Sequence, residues 1–386
     1  MAVTADGAVR YRSCVVGTPA ESGVKAAPLL DILRRRIAAE GPITVTAFMA
    51  DCLLHPEHGY YRSQEAIGLH GDFITAPEIS QMFGELLGLW AADYWQRIGE
   101  PEKCYLVELG PGRGTLMRDA LRAARALPAF CHALNPVLVE ASARLRGLQQ
   151  TALADEGAVW HEQIAAIPKD APLLLIANEF LDALPVRQFQ RGDDNGWHER
   201  CVGLDEATGE LRFMLDPRAL PFDELLPQVL RDSPPGSIVE SSPPVRAVAV
   251  EIAARLKAQG GAALFIDYGY ASAGIGETLQ AVYRHTYADP LQTPGLADLT
   301  AHVDFGSFAL AAKRAGAQVH GPVGQGAFLN QLGIQARAVK LKRDNLAQAG
   351  DVDQALRRLT APEAMGTLFK ALALTAPESP QPAGFA

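Results

Sequence analysis

The sequence predicts an α/β fold built around a mostly parallel sheet, on three observations. Tyr105 to Asp119 reads YLVELGPGRGTLMRD: an apolar run closes on Glu108, then come Gly110, Gly112 and Gly114, and a helical pattern begins at Thr115. Further apolar runs, Pro136 to Glu140, Pro172 to Ala177 and Ala262 to Ile266, each close on a polar or glycine-containing cluster. Helical stretches separate these runs. Short apolar runs without alternation mark strands buried on both faces, and their alternation with helices marks βαβ units.

Taken in order, Leu29, Leu30, Leu33 and Ile37 share one face of a helix from Pro28 to Ala39, which Gly41-Pro42 stops. Thr44 suits the N-cap of a second helix reaching Leu54. After HPEHGYY (His55 to Tyr61) comes a stretch from Gly71 to Trp95. It opens as GDFITAPE and turns helical, with Ile79, Phe83, Leu86, Leu87, Trp90 and Tyr94 recurring at threes and fours. Pro77 and Glu78 suit a helix start without any further role. Beyond the glycine turn, Pro136 to Glu140 is a strand, Ser142 to Ala154 a helix, and Ala158 to His161 a short strand. A fourth strand, Pro172 to Ala177, breaks into NEFLDALPV. Trp197 to Met214 reads as an antiparallel excursion turning near Ala207 to Gly209, and Pro243 to Gln259 as an amphipathic helix stopped by Gly260-Gly261. Ala262 to Ile266 is a buried strand ending in Asp267-Tyr268-Gly269-Tyr270. A long loop (His285 to Phe305), a helix (Gly306 to Ala315), a mostly helical remainder and a last strand near Leu368 to Leu374 follow. The expected organisation is a disordered arm over 1–27, a helical segment or lid over 28–100, a core with insertions over 101–375, and a frayed tail over 376–386. No internal repeat or long linker divides it.

A chain of 386 residues supports a large core, and 48% hydrophobic with 20% charged residues is ordinary for a soluble globular protein. A net charge of -9 without a basic patch argues against nonspecific nucleic-acid binding and favours a neutral or basic protein partner. The five cysteines are scattered without a C-x-x-C, which reads as reduced thiols. Histidines and carboxylates never fall into metal-ligand spacing. No run of 18 or more apolar residues occurs, and the first 25 residues lack a secretory apolar region, so an intracellular protein without a membrane span is expected. A weak organelle-targeting segment is the alternative for that arm.

In open parallel sheets, ligands bind beyond the carboxyl ends of the strands. That rule gathers Glu108 with its glycines, Glu140, Asn178 to Asp182 and Asp267 to Tyr270 around one crevice. Glycine spacing then separates two ligands. A dinucleotide turn is G-x-G-x-x-G, whereas here the pattern is E-x-G-x-G-x-G and Thr115 stands where the third dinucleotide glycine would be. Glu108 also sets a negative charge under the ligand, which suits a cation carrying a carboxylate better than a pyrophosphate. This turn resembles motif I of class I S-adenosylmethionine (SAM) methyltransferases. Glu140 is the candidate for ribose hydroxyls, since one carboxylate accepts both bonds, and His161 to Ile164 could flank an adenine. Asn178, Glu179 and Asp182 are candidates to hold an amine or guanidinium and aim its lone pair, because methyl transfer by displacement needs alignment and localised charge. His302, in GLADLTAHVDF with Asp298, Thr300 and Asp304, is either a general base or a loop stitch, and Asp304 is a natural N-cap. The bland alternatives are a solvated Glu140 and Glu179 and a turn-capping Asp182.

Together HPEHGYY, GDFITAPEISQMFGELLGLW, VELGPGRGTLMRD, NEFLDALPV, IDYGY and YADPLQTPGLADLTAHVDF resemble the MidA-type SAM-dependent methyltransferase family, from about Leu29 to Leu374. The resemblance implies a class I SAM-methyltransferase (Rossmann-like) fold. That fold is a seven-strand mostly parallel sheet with an N-terminal helical segment and inserted β and helical elements. It implies S-adenosyl-L-methionine as cofactor. Mitochondrial members are arginine methyltransferases acting in respiratory complex I assembly, so it also implies arginine methylation of a complex I subunit. Glu108, Gly110, Gly112, Gly114 and Glu140 match cofactor-binding positions, with Thr115 at the helix start beside them. Gly71 and Asp72 open a family motif whose expected role is cofactor or substrate closure. The paired glutamates of better-known arginine methyltransferases have no counterpart loop, and Glu179 and Asp182 stand in for them. His302 is loosely similar to the His-bearing substrate loop of that class. The expected partner is an arginine-bearing protein, in bacterial cytoplasm or the mitochondrial matrix, with a homodimer allowed. The rival reading is a SAM-binding assembly chaperone for complex I with little or no turnover. An NAD-type oxidoreductase stands further off.

Overall fold

In the computed structural model, seven strands form the path of the central sheet: β1 (Cys104–Leu109), β2 (Leu134–Val139), β3 (Val159–His161), β4 (Leu173–Asn178), β5 (Gly261–Tyr270), β6 (Gln318–Gly324) and β7 (Phe369–Thr375). The two-residue strand Val303–Asp304 joins it as an eighth beside β5. The structure describes residues 2–3, 9–10, 28–63, 75–220, 228–272, 274–284 and 286–385. Strand order is β3-β2-β1-β4-β5-β7-β6. The first five strands are mutually parallel, and β7 runs antiparallel to both β5 and β6. Every residue of β1, β4 and β5 is buried, as their unalternating apolar sequences require. The chain runs outward from β1 to β3, then restarts at β4 on the other edge of β1. That reversal opens a crevice above the carboxyl ends of β1 and β4.

Helices cover both faces. Gln81–Arg97 and Thr115–Ala124 pack on one face within a core that includes Phe83, Trp90, Leu116 and Leu264. Their crossing is close because Gly88 lies against the Ala120 backbone; a Cβ there would sit 2.6 Å from the Ala120 oxygen. Pro243–Gln259 and Phe305–Arg314 cover the other face, where the Phe308 ring meets Phe265 at 4.7 Å.

The described parts of the N-terminal segment divide between two cores. Helices Pro28–Glu40 and Val45–Leu54 build a separate core with Val202 and Leu211 of the inserted strands, Val186 just before them and Leu299 of strand Asp298–Thr300, whereas Gln81–Arg97 packs in the core of the main sheet. Thr44 caps the second helix, its hydroxyl accepting from Ala47 N at 3.2 Å. The inserted sheet orders Leu211–Leu220, Trp197–Leu204, Arg187–Arg191 and Ile238–Ser241, with Ile43–Thr44 of the N-terminal segment pairing onto it.

Several elements differ from the sequence-based expectation. Asp267 to Tyr270 lie within β5 instead of following it, because β7 and Val303–Asp304 pair along them. The loop expected from His285 to Phe305 carries short strands Thr286–Ala288, Asp298–Thr300 and Val303–Asp304; His285 itself lies outside the described residues. β6 was expected within a helical stretch. Its sequence QVHGPVG has neither period, and only pairing with β7 makes it a strand. Strands Arg187–Arg191 and Ile238–Ser241 are too polar for an apolar run to reveal them. The tail is docked instead of frayed: Phe385 is buried with its ring 5.3 Å from Phe328, and Trp90 Nε1 donates to the Ala383 oxygen at 3.2 Å. The expected arm over 1–27 lies outside the described residues, apart from a pairing of Ala2–Val3 with Val9–Arg10. Among the described residues no helix is long and apolar enough to cross a membrane.

Candidate active site

β1 delivers Glu108 to the crevice floor at 3% exposure. The chain then turns through Gly110 (φ +62), Gly112 (φ +53) and Gly114 (φ +82), left-handed conformations that glycine adopts without a Cβ penalty. Gly114 leads into the helix that starts at Thr115. Glu108 Oε2 is buried with no hydrogen-bond partner. Burial pushes its pKa up to about 8, the Met117 N–H opposing and Glu140 adding to the shift. A buried carboxylate oxygen without a donor is costly and fits a cationic donor arriving from a ligand.

Glu140, at the end of β2, accepts from Ser142 N at 2.7 Å and from Gln149 Nε2 at 3.2 Å. Its pKa is raised by burial, against the Ser142 and Gln149 donors. Gln149 also donates to the Gly112 oxygen at 2.8 Å and accepts from Trp160 Nε1 at 3.0 Å, so one side chain ties the glycine turn to β2 and β3. Sequence reasoning missed it. Its signal was a glutamine on the buried stripe of helix Ala143–Ala152, four positions after Leu145.

Beyond β4, Glu179 takes a left-handed φ of +48, a strained conformation for a non-glycine residue. Its Oε1 accepts from Ala76 N and from Asn178 Nδ2, both at 3.0 Å, while Asn178 Oδ1 is buried without a partner. Burial pushes the Glu179 pKa up to about 7, with the Ala76 N–H holding it down and Asp182 raising it. Across the glycine turn, Thr115 Oγ1 donates to Glu78 Oε1 at 2.5 Å. Thus Ala76–Ile79, a short helix from the N-terminal segment, touches both Glu179 and the start of the next helix.

Two adjoining cavities result. One of about 40 Å³ is lined by Thr75, Glu78, Glu108, Arg113, Thr115 and Asn178, and one of about 300 Å³ by Tyr61, Glu140, Ser142, Gln163, Phe180 and Pro185. Gly110, Gly112 and Glu179 border both. Of the stretch His161 to Ile164, Glu162, Gln163 and Ile164 line the larger cavity, whereas His161 lines neither. Tyr61 closes the HPEHGYY cluster read from sequence, whereas Ser142 was identified only as the start of a helix; the Ser142 hydroxyl donates to the Tyr61 backbone oxygen at 2.9 Å on the wall of the larger cavity.

Two expected site residues lie elsewhere. Asp182 is 6% exposed and lines neither cavity. The backbone N–H groups of Leu181 and Asp182 donate to Asp267 Oδ2 at 2.9 and 3.1 Å, which folds this turn back under the crevice. Burial pushes both Asp182 and Asp267 above the usual carboxylate range, and the two charges reinforce this on each other. His302 packs edge-on to Tyr268 at 5.3 Å and lines a separate small cavity with Glu240, Arg246 and Asp304. Burial lowers its pKa to about 4, so it is neutral at pH 7. Its backbone N donates to Thr278 Oγ1 at 2.9 Å, the stitching role. Asp304 caps the following helix, accepting from Ser307 N at 3.0 Å. Gly71 and Asp72 lie outside the described residues.

A sheet in this order, an acid-and-glycine turn at its reversal and a carboxylate after β2 define a class I SAM-dependent methyltransferase. Residues 86–323 match the S-adenosyl-L-methionine-dependent methyltransferase family Methyltransf_28, and the chain belongs to that family. It is 37% identical over 384 residues to the mitochondrial protein arginine methyltransferase NDUFAF7 of Mus musculus, covering 92% of this chain and 86% of that protein. Against the Homo sapiens protein of that name it is 36% identical over 386 residues, covering 92% and 85%. The fold matches a COG1565 superfamily protein from Burkholderia thailandensis, crystallised with S-adenosyl-homocysteine (SAH), at a TM-score of 0.82 and 30% identity, covering 93% of this chain and 94% of that one. SAM is the cofactor, and the unpartnered Glu108 oxygen beside a glycine turn fits it.

Proposed function

We propose that the chain methylates arginine on a protein, with a respiratory complex I subunit or a similar protein as acceptor. The observation that carries this reading is Glu179, a buried carboxylate on a left-handed backbone that borders the same cavities as the glycine turn. The names of the relatives support the arginine specificity. In this reading Glu108 accepts from the amino end of the cofactor, and the glycine turn and Thr115 helix start receive its carboxylate. Glu140 accepts from the ribose, and Glu162 to Ile164 border the adenine. Bound there, the cofactor supplies a methyl group activated on a sulfonium. Glu179 receives guanidinium N–H bonds, draws positive charge toward itself and orients the remaining nitrogen. With a pKa of about 7 it is increasingly ionised above neutrality. The working compartment is bacterial cytoplasm or, for a eukaryotic chain, the mitochondrial matrix.

The test is incubation with tritiated SAM and a lysate of complex I-containing cells lacking this protein, followed by amino-acid analysis. Labelled methylarginine is expected. Glu179→Gln should lower transfer by roughly 100-fold or more while SAH affinity in calorimetry changes only several-fold. Intact SAH binding without any transfer would replace this reading with the SAM-binding chaperone.

A further inference from the structure

We propose that the backbone N–H of Ala76 is a positioning donor for the reaction: it fixes the Glu179 carboxylate in place and stabilises its ionised form. This rests on Glu179 as the acceptor-side carboxylate. The contact joins residues 103 positions apart, at 3.0 Å, and uses the same Oε1 that Asn178 holds from the opposite side. Glu179 keeps a left-handed backbone that nothing in its own side chain favours, so its direction is imposed by what it bonds. The element that supplies the N–H is itself anchored. Ala76 is fully buried, and two residues on, Glu78 accepts from Thr115 at the start of the cofactor-side helix. One short segment therefore holds both sides of the crevice in register, which makes the N-terminal segment part of the catalytic architecture and not merely a cover.

The electrostatic need is plain from the surroundings. Asp182 and Asp267 interact electrostatically with Glu179, Glu78, Glu108 and Arg113 share its smaller cavity, and the Arg358 cation acts on it with the opposite sign. Burial is the main cause favouring protonation of Glu179, with Asp182 adding to it and Arg358 opposing it. A donor on the charged form works in the other direction, and the Ala76 N–H opposes burial here.

The N–H can be removed with little else changed. Ala76 opens its helix, a position that accepts proline, and Thr75 before it already has the extended φ -75, ψ 161 that a following proline requires. Because Ala76 is buried and the ring needs room, a second chain carries lactate in place of Ala76, which keeps the methyl and replaces the amide by an ester. Protein labelled with ¹³C at the glutamate carboxyls is titrated by NMR, with the Glu179 signal assigned by its disappearance in Glu179→Gln. The Glu179 midpoint should rise by roughly one unit in Ala76→Pro and in the lactate chain, and stay in place in Ala76→Ser, which retains the N–H. The acid limb of methyl transfer should move up with it. An unmoved midpoint in the lactate chain overturns the proposal, and that chain decides if Ala76→Pro does not fold. Full transfer by Glu179→Gln would instead remove Glu179 from the reaction, and with it the proposed role of Ala76, even with the midpoint shifted.

Discussion

At the residue scale, Glu108 shows how a ligand site is stored as an energetic debt. Its ordinary pKa of 4.5 rises to about 8 in the fold because burial penalises the charge. The native chain therefore holds a proton that the unfolded chain releases between those values. Native stability from this group is fully present below pH 4.5 and is lost as pH rises through about 8. Glu108→Gln keeps the shape without the titration. The ligand-free variant should be more stable than wild type at pH 8 by roughly 4 kcal/mol, and equal to it at pH 4, in chemical denaturation. SAM binding should release a proton below pH 8 in wild type and none from this position in the variant. Calorimetry in buffers of different ionisation enthalpy reads that difference. Equal proton release in both would sever Glu108 from the cofactor.

At the element scale, the strand-turn-helix unit around β1 does two jobs with its glycines, and they separate experimentally. A Cβ on Gly110 would meet Phe180 Cδ2 at 2.9 Å, whereas a Cβ on Gly114 would meet Gln149 at an ordinary 3.6 Å. Both positions have a positive φ. Gly114→Ala should cost about 1–2 kcal/mol of backbone strain and weaken SAH binding only several-fold. Gly110→Ala should also displace Phe180 and so weaken SAH by more than tenfold. Thermal melts and calorimetry on the pair check the order, and a Gly114→Ala defect equal to or larger than that of Gly110→Ala would contradict it.

Across the whole molecule, the sheet is sealed from behind by its own C-terminus. The Phe385 ring packs on Phe328, Trp90 bonds the Ala383 oxygen, and Gly384 approaches Phe328 so closely that a Cβ would lie 2.4 Å from its ring. Phe385 lines neither cavity of the crevice. Phe385→Ala should then cost about 2–4 kcal/mol of stability and lower Tm by several degrees, with SAH affinity within about twofold of wild type. An affinity change without a Tm change would mean that the tail serves the site and not the core.

The sequence alone determined what contiguous residues decide. The parallel strands follow from unalternating apolar runs, the ligand turn from E-x-G-x-G-x-G, and the caps at Thr44 and Asp304 from residue type and position. Glu140 was legible for the same reason, as a carboxylate closing an apolar run. Tertiary structure decided where side chains point after a strand ends. Glu179 and Asp182 are three positions apart, yet one borders the crevice and the other turns beneath it, because Asp267 captures the intervening backbone. His302 lies in a dense polar loop but packs against Tyr268, away from the glycine turn. β6 exists through its pairing with β7, and the tail is ordered by a helix nearly 300 positions earlier in the chain (separation 293). Ala76 reaches Glu179 across 103 positions. Periodicity and turn chemistry act within a few residues, whereas these contacts depend on how distant elements stack, and only the folded chain brings them together.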